Sequence, residues 1–302
     1  MQSTESLKRK IKSAQDLQSV VKTMKALAAV SIRQYQRAVE SLINYNKTVE
    51  MGLQAALKYQ AGIIGTVPPA SDSYIGAIVF GSDQGLCGPL NENIANHALE
   101  EMAALEVPNS NRLLITVGLR VNGCLEDAGQ QIVESLSMPS SVSGITPMVQ
   151  DLILILEDWH FRRQIEHIYL YYNEYVSGAN YRVHTLPLLP VDQQWLKKLK
   201  QKEWPSRILP TYTMVWSALF MALLREYLFV SLYRAFAESL ASENASRLAS
   251  MQNAEKNIEE RLQELHGQFH RQRQMTITEE LLDIVAGFEA MKEKPKKKLN
   301  LY

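Results

Sequence analysis

Two stretches without proline constrain this chain of 302 residues more than anything else in it. From Ser6 to about Tyr59 there is no proline and a single glycine, Gly52, and from about Thr213 to Ala286 there is again no proline, with Gly267 the only glycine before Gly287. In the first stretch Leu7, Ile11, Ala14, Val21, Ala28, Ile32, Tyr35, Val39 and Leu42 recur in steps of three and four, with a gap at polar Gln18 and Lys25. That spacing keeps one narrow apolar stripe along a 3.6-residue helix and predicts a coiled-coil seam. The second stretch repeats it with Leu219, Leu223, Glu226/Tyr227 and Val230, then with Ile258, Leu262, Leu265 and Phe269. At 1.5 Å per residue the two helices would reach roughly 75 to 80 Å and about 105 Å. Helices of that length cannot be packed throughout within a domain of this size, so part of them must project and find a partner.

Between the helices the pattern changes. Gly62 to Ser73, with Pro68 and Pro69, reads as a linker. Apolar strands are predicted at Tyr74–Phe80, Leu113–Val117, Gln131–Leu136 and His167–Asn173, alternating with helical stretches near Asn91–Ala104, Leu119–Ala128 and Pro147–Arg162. Alternation at this spacing predicts an α/β domain with a largely parallel sheet, and Val183–Pro190, which contains prolines, suits an edge strand. A Lys- and Trp-rich connector, Trp195 to Pro210, follows. The expected fold class is therefore α/β with a Rossmann-like central domain, plus a long antiparallel α-helical coiled coil formed by the N- and C-terminal helices. Expected divisions are 1–60 for the first helix, 61–211 for the α/β domain and 212–302 for the second helix with a basic tail.

Composition removes other classes. A chain with 46% hydrophobic and 21% charged residues is neither disordered nor fibrous. Cys87 and Cys124 are too few for a disulfide framework, which suggests a reducing compartment. MQSTESLKRKIK has no apolar core of a signal peptide, and the apolar run Met214–Leu224 is too short for a membrane span. The formal net charge is zero, yet it is a cancellation: residues 1–60 hold 10 Lys+Arg against 4 Asp+Glu, and residues 61–211 hold 10 against 16. Neither a nucleic-acid partner nor a cofactor is expected, and the basic surplus on the first helix should make assembly salt-sensitive.

Motifs for chemistry are weak. Gly81-Ser-Asp-Gln-Gly-Leu-Cys-Gly88 stands after a strand and before a helix, where a phosphate cradle would lie, but it matches neither GxGxxG nor GxxxxGK[ST]. A structural turn is the better reading, with Cys87 a small semi-buried thiol rather than a nucleophile. His266 and His270 share a helix face, but Gly267 stands where a zinc-peptidase motif needs glutamate. The sequons at Asn46 and Asn244 fall in predicted helices, and the Lys-rich run 292–298 reads as a solvated end.

Three segments in series resemble the gamma subunit of F-type ATP synthases across nearly the whole chain. Leu7-Lys-Arg-Lys-Ile-Lys-Ser13 through Val21-Lys-Thr-Met-Lys-Ala-Leu-Ala-Ala29 is similar to the family's opening helix. Ser82-Asp-Gln-Gly-Leu-Cys-Gly88 with Asn91 resembles its Ser/Thr-Asp-Arg-Gly-Leu-Cys-Gly turn. Ser242-Glu-Asn-Ala-Ser-Arg-Leu248, Met251 and Ile277-Thr-Glu-Glu-Leu-Leu-Asp-Ile-Val-Ala-Gly287 resemble its terminal signature. Gln84 departs from the usual arginine, Pro89 from a glycine and Phe288 from an alanine, and the cysteine-pair insert of chloroplast relatives is missing. The first segment is most similar to the alternate bacterial F-type ATPases, a branch linked to sodium transport; the coupling ion itself is not legible in this chain.

The resemblance implies a rotor that performs no bond chemistry. The coiled coil would turn inside a hexamer of alpha and beta subunits, the α/β body would rest on the membrane c-ring beside the epsilon subunit, and the whole would sit peripherally on the cytoplasmic face of a bacterial plasma membrane. Lys22, Met24 and Lys25 match the region that meets the acidic lever loop of beta, and Arg273 and Gln274 match positions that hydrogen-bond alpha or beta loops. Asp83, Gly85, Cys87 and Gly88 belong to the family turn of the globular domain. Ile208 and Leu209 align with its ring-facing loop, whose usual acidic residue is missing here. The competing reading is a nucleotide-binding α/β enzyme with helical extensions.

Overall fold

A computed structural model describes residues 4–59 and 74–292. The expected linker at 62–73 and the Lys-rich run beyond Lys292 lie outside the described residues. Six helices and five strands follow in the order α1 (Thr4–Tyr59), β1 (Ile75–Phe80), α2 (Leu90–Ala104), β2 (Arg112–Val117), α3 (Leu119–Asp127), β3 (Ile132–Leu136), α4 (Val142–Arg163), β4 (His167–Ser177), β5 (Asn180–Leu189), α5 (Gln193–Gln201) and α6 (Trp216–Lys292). The chain forms two compact units, one of residues up to Met24 together with those from Met251 onward, the other of Lys25–Ser250.

The larger unit is built on a sheet ordered β3-β2-β1-β4-β5. Its first four strands are parallel, and β5 returns antiparallel on β4. Both faces of the parallel strands are covered, which is why β1 is apolar at every position and wholly buried. Ile78, Phe80, Ile115, Val117, Leu170 and Tyr172 pack toward α4, α1 and α6 around Trp159, Leu152, Tyr35, Leu232 and Phe236. The alternate residues Ala77, Val79, Leu114 and Tyr171 pack toward α2 and α3 around Ile94, Ala98, Met102, Val121 and Leu125. Gly76 is glycine because a Cβ there would lie 2.5 Å from the Trp159 ring. Pro187 stands on β5, an edge strand, where proline is tolerated.

In the same unit the end of α1 and the start of α6 run antiparallel. Trp216 Nε1 donates to the Ala56 carbonyl, Leu223 fills the space beside Gly52, and Tyr45 Oη donates to Glu226, so the register falls on α1 as it rises on α6. In the smaller unit Leu7 and Ile11 are buried with Leu262 and Leu265, flanked by Ala14, Ile258 and Phe269, and the Lys8 ammonium lies 5.8 Å from the centre of the Phe269 ring. These are the residues whose three-four spacing predicted the seam. Beyond Phe269, the described part of α6 carries Met275, Ile277, Leu281, Leu282, Ile284, Val285, Phe288 and Met291 exposed.

Several boundaries differ from the sequence expectation: β4 runs on to Ser177, β5 begins at Asn180, and three differences bear on the helices. α4 begins at Val142 rather than Pro147, so the proline sits inside the helix. It forfeits one backbone bond, which the burial of Ile145, Val149, Leu152 and Trp159 outweighs. The connector expected at 195–210 overlaps α5, which is capped where the Asp192 carboxylate accepts from Gln194 N at 2.7 Å and anchored by buried Leu196 and Leu199. α6 continues six residues past Ala286, through Gly287.

Candidate functional site

The turn after β1 is held by its own side chains. Asn91, buried at the start of α2, accepts from Ser82 N and donates to Ser82 Oγ, each at 2.9 Å. Ser82 Oγ in turn donates to the Gln84 carbonyl at 2.9 Å and touches Cys87 Sγ at 3.4 Å. Asp83 accepts from two backbone amides of neighbouring loops, Leu119 N at 3.0 Å and Met138 N at 2.9 Å, tying the ends of β2 and β3 to that of β1. Gly118 is required beside it: its φ is +117°, and a Cβ would lie 2.7 Å from Ser82 N.

A second set of bonds joins this turn to α6. Ser246 Oγ donates to the Cys87 carbonyl, and Arg247 Nη2 donates to the Gly85 carbonyl at 3.4 Å and to Glu243 Oε1 at 2.6 Å. Gly88 has φ +57°, a conformation that strains other residues, and a Cβ there would lie 3.3 Å from Ser250 Oγ. Glu243 is buried, and that burial pushes its carboxyl above the ordinary value although Arg247 opposes the shift. Tyr35 of α1, close enough to sense the Glu243 charge, is likewise raised, chiefly by burial. Two of the family-like segments, 82–91 and 242–248, are thus one contact: the turn is the socket and α6 the part seated in it.

The seat lies where a doubly wound sheet would offer its crevice. The strand order reverses between β1 and β4, and the ends of those strands normally open onto a ligand. Here Phe236 of α6 stacks edge-on against Phe80 at 4.9 Å, and Ser242 Oγ donates to the Asn173 carbonyl at 2.9 Å. α6 itself occupies the crevice, which argues against the nucleotide-binding enzyme reading. Beside it Glu238 of α6 pairs with Arg234 at 2.6 Å, and Arg234 reaches Glu174, which also holds Arg182 of β5. Burial raises the Glu238 carboxyl. At Glu174 burial works in the same direction, but the Arg182 hydrogen bond and the charges of Arg182, His184 and Arg234 hold it below the ordinary value. Sequence reading missed this chain of charges; the i, i+4 spacing of Arg234 and Glu238 was its one local signal.

The other expected site residues stand apart from the socket. On α1, Lys22 is exposed while Met24 and Lys25 are half-buried. On α6, Arg273 and Gln274 are exposed, as are His266 and His270. Ile208 is 81% exposed at the end of a turn in which Trp204 Nε1 and Ser206 Oγ both donate to its carbonyl, at 3.0 and 2.9 Å; Leu209 is half-buried. Asp83, Gly85 and Cys87 come together in the socket, and Gly88 closes it. Among the described residues no helix is long and apolar enough to cross a membrane.

Comparison with known proteins agrees with this architecture over its whole length. The ATP synthase gamma chain of Histophilus somni (strain 2336) is 28% identical, over 96% of this chain and 100% of that one. The ATP synthase gamma chain of Nitrosomonas europaea is 25% identical over the same shares. Among solved structures, a chain of the Euglena gracilis mitochondrial ATP synthase (OSCP/F1/c-ring, rotational state 3) superposes with a TM-score of 0.65 at 16% identity, covering 99% of both chains. One from the central stalk/c-ring of the Tetrahymena thermophila mitochondrial ATP synthase has a TM-score of 0.55 at 21% identity, covering 78% of this chain and 99% of that one. At such identities the structural likeness is one of fold. The family model for ATP synthase matches residues 3–291, from the first helix through the socket to the last turns of α6, and the chain belongs to that family.

Proposed function

We infer that this chain is the gamma subunit of an F-type ATP synthase or ATPase, the central-stalk rotor that couples ion flow through a membrane ring to ATP synthesis or hydrolysis in an alpha/beta hexamer. The observation that carries the reading is the full-length match of residues 3–291, with α6 filling the sheet's only switch-point crevice among the described residues. A protein so built has given its nucleotide crevice to a helix and works by mechanical contact. Its partners are the other parts of F1 and the rotor: alpha and beta around the helices, epsilon and the c-ring at the body. Its place is peripheral, on the cytoplasmic face of the bacterial plasma membrane.

Rotation acts on a hexamer only if the shaft contacts each catalytic subunit differently in turn, since differential contact alone shifts open against closed states. Lys22, Met24 and Lys25 are the proposed contact with the acidic loop of beta, and Arg273 and Gln274 the proposed contact with alpha or beta loops near the end of the shaft. A guanidinium suits carboxylate capture, and Arg273 is exposed to do so. The eight exposed apolar residues from Met275 to Met291 favour the same reading, because a long apolar helix end calls for a surrounding partner. Co-expression with the alpha and beta subunits encoded beside this chain tests it. One copy per hexamer is expected, and failure to form such a complex would overturn the rotor reading.

A further inference from the structure

The stretch of α6 that crosses the end of the sheet is a slender helix buried on every side. From Ala235 to Arg247 each side chain is buried except half-buried Asn244, and a segment of that length makes about three and a half turns, so no face is left to solvent. Seven of its residues are alanine or serine, and Phe236 and Leu240, four apart on one face, are its only large apolar side chains. Side chains so small raise only shallow ridges, and apolar packing is non-directional. Packing alone therefore gives this segment weak resistance to turning about its own axis.

Two serines of the segment use their hydroxyls in an unusual way. Elsewhere on α1 and α6, Ser19, Thr23, Thr48, Thr276 and Thr278 each donate to the carbonyl four residues before, within their own helix. Ser242 and Ser246 donate instead across to the body, Ser242 to the Asn173 carbonyl of β4 and Ser246 to the Cys87 carbonyl in the turn after β1. The two serines stand one helical turn apart on one face, and their acceptors belong to neighbouring strands or their ends. Both acceptors are themselves fixed: Asn173 lies in register with Val183 of β5, and the turn is tied down by Asn91 and by the two amide bonds of Asp83.

Resting on the rotor reading above, we propose that Ser242 and Ser246 are positioning residues for torque: they key α6 to the α/β body, so that rotation of the body turns the helix with it instead of slipping around it. A hydrogen bond weakens steeply as it is misaligned, whereas apolar contact hardly changes when smooth surfaces slide. Two such bonds at different heights on the helix fix its angle about the axis, which a single bond would leave free to pivot. Arg247 adds little to this restraint. Its bond to the Gly85 carbonyl is long, at 3.4 Å, and its short bond, at 2.6 Å, goes to Glu243 on the same helix and carries no load between helix and body.

The test uses the complex of the full chain with the alpha and beta subunits encoded beside it, the hexamer fixed to a surface and a bead attached through Glu166→Cys, an exposed position of the body, with Cys124→Ser to keep the label specific. The angular spread of the bead during each pause between ATP-driven steps reads the stiffness of the link from body to shaft. Ser242→Ala with Ser246→Ala should widen the variance of that spread roughly twofold or more, with each single variant between it and wild type. Ile145→Val with Ile153→Val thins the core beneath α4 and leaves both hydroxyls in place, so it should lower the denaturant midpoint without widening the spread. An unchanged spread in the double serine variant would overturn the proposal, and so would equal widening in the isoleucine variant, which would make the effect one of general softening. A wild-type bead that does not turn on ATP would overturn the rotor reading itself, so the two failures are distinct.

Discussion

Arg247 holds together groups that would be costly to leave alone. Its guanidinium neutralises a buried glutamate, Glu243, while reaching the Gly85 carbonyl across the socket. Removing it strands a buried charge, so Arg247→Ala should lose about 3–5 kcal/mol in denaturant unfolding, whereas Ser246→Ala, which gives up one hydrogen bond to Cys87, should lose only about 1 kcal/mol. The two carboxyls raised by burial, Glu238 and Glu243, also predict a pH dependence. A folded-state carboxyl that keeps its proton above the unfolded value binds more protons folded than unfolded, so stability falls as pH rises from the unfolded value through the folded one. Glu238→Gln with Glu243→Gln should therefore flatten that decline in denaturant midpoints measured from about pH 4.5 upward. None of these residues announces its role in the sequence, where Arg247 is one basic residue on a long polar-looking helix.

At the scale of elements, the seams, the parallel strands and the edge strand were all legible, because each rests on a periodicity confined to one segment. Leu7, Ile11, Leu262 and Leu265 are buried as their spacing predicted, and Leu265→Ala should cost about 2–5 kcal/mol of the helix pairing, read as increased hydrogen exchange at residues 4–14 and 258–269. What was not legible had weak local signals. α5 has only nine residues, four of its neighbourhood's lysines obscure its two buried leucines, and its cap is a single aspartate. The start of α4 was hidden by Pro147, whose cost is local while the benefit that offsets it lies in a core shared with Trp159 and the sheet. Trp159 is 1% exposed and fills the space above Gly76; Trp159→Ala should lower stability by about 3–5 kcal/mol by thermal unfolding, and Gly76→Val should be of comparable severity through overpacking.

For the whole molecule, the zero net charge is misleading as a single number. The first 60 residues are strongly basic, the body is acidic, and the body's basic residues concentrate around α5. Assembly of the chain with the proposed alpha/beta hexamer should weaken as salt is raised from about 50 to 500 mM, measured as complex yield, since exposed charges are screened within about a Debye length. Arg273→Glu should reduce ATP-driven rotation while leaving circular dichroism unchanged; rotation at the wild-type rate and torque would remove Arg273 from the proposed contacts. By itself the sequence determined the two long helices, the strands and which of their faces are apolar, because those properties are written in spacing along the chain, while the family resemblance rested on the residues of the three motifs. Only the tertiary structure decided that two of those motifs are one joint and that the sheet's crevice is closed by Phe236, Ser242, Ser246 and Arg247. Those side chains reach partners roughly 70 to 160 residues away, and no periodicity within a segment encodes a contact at that separation.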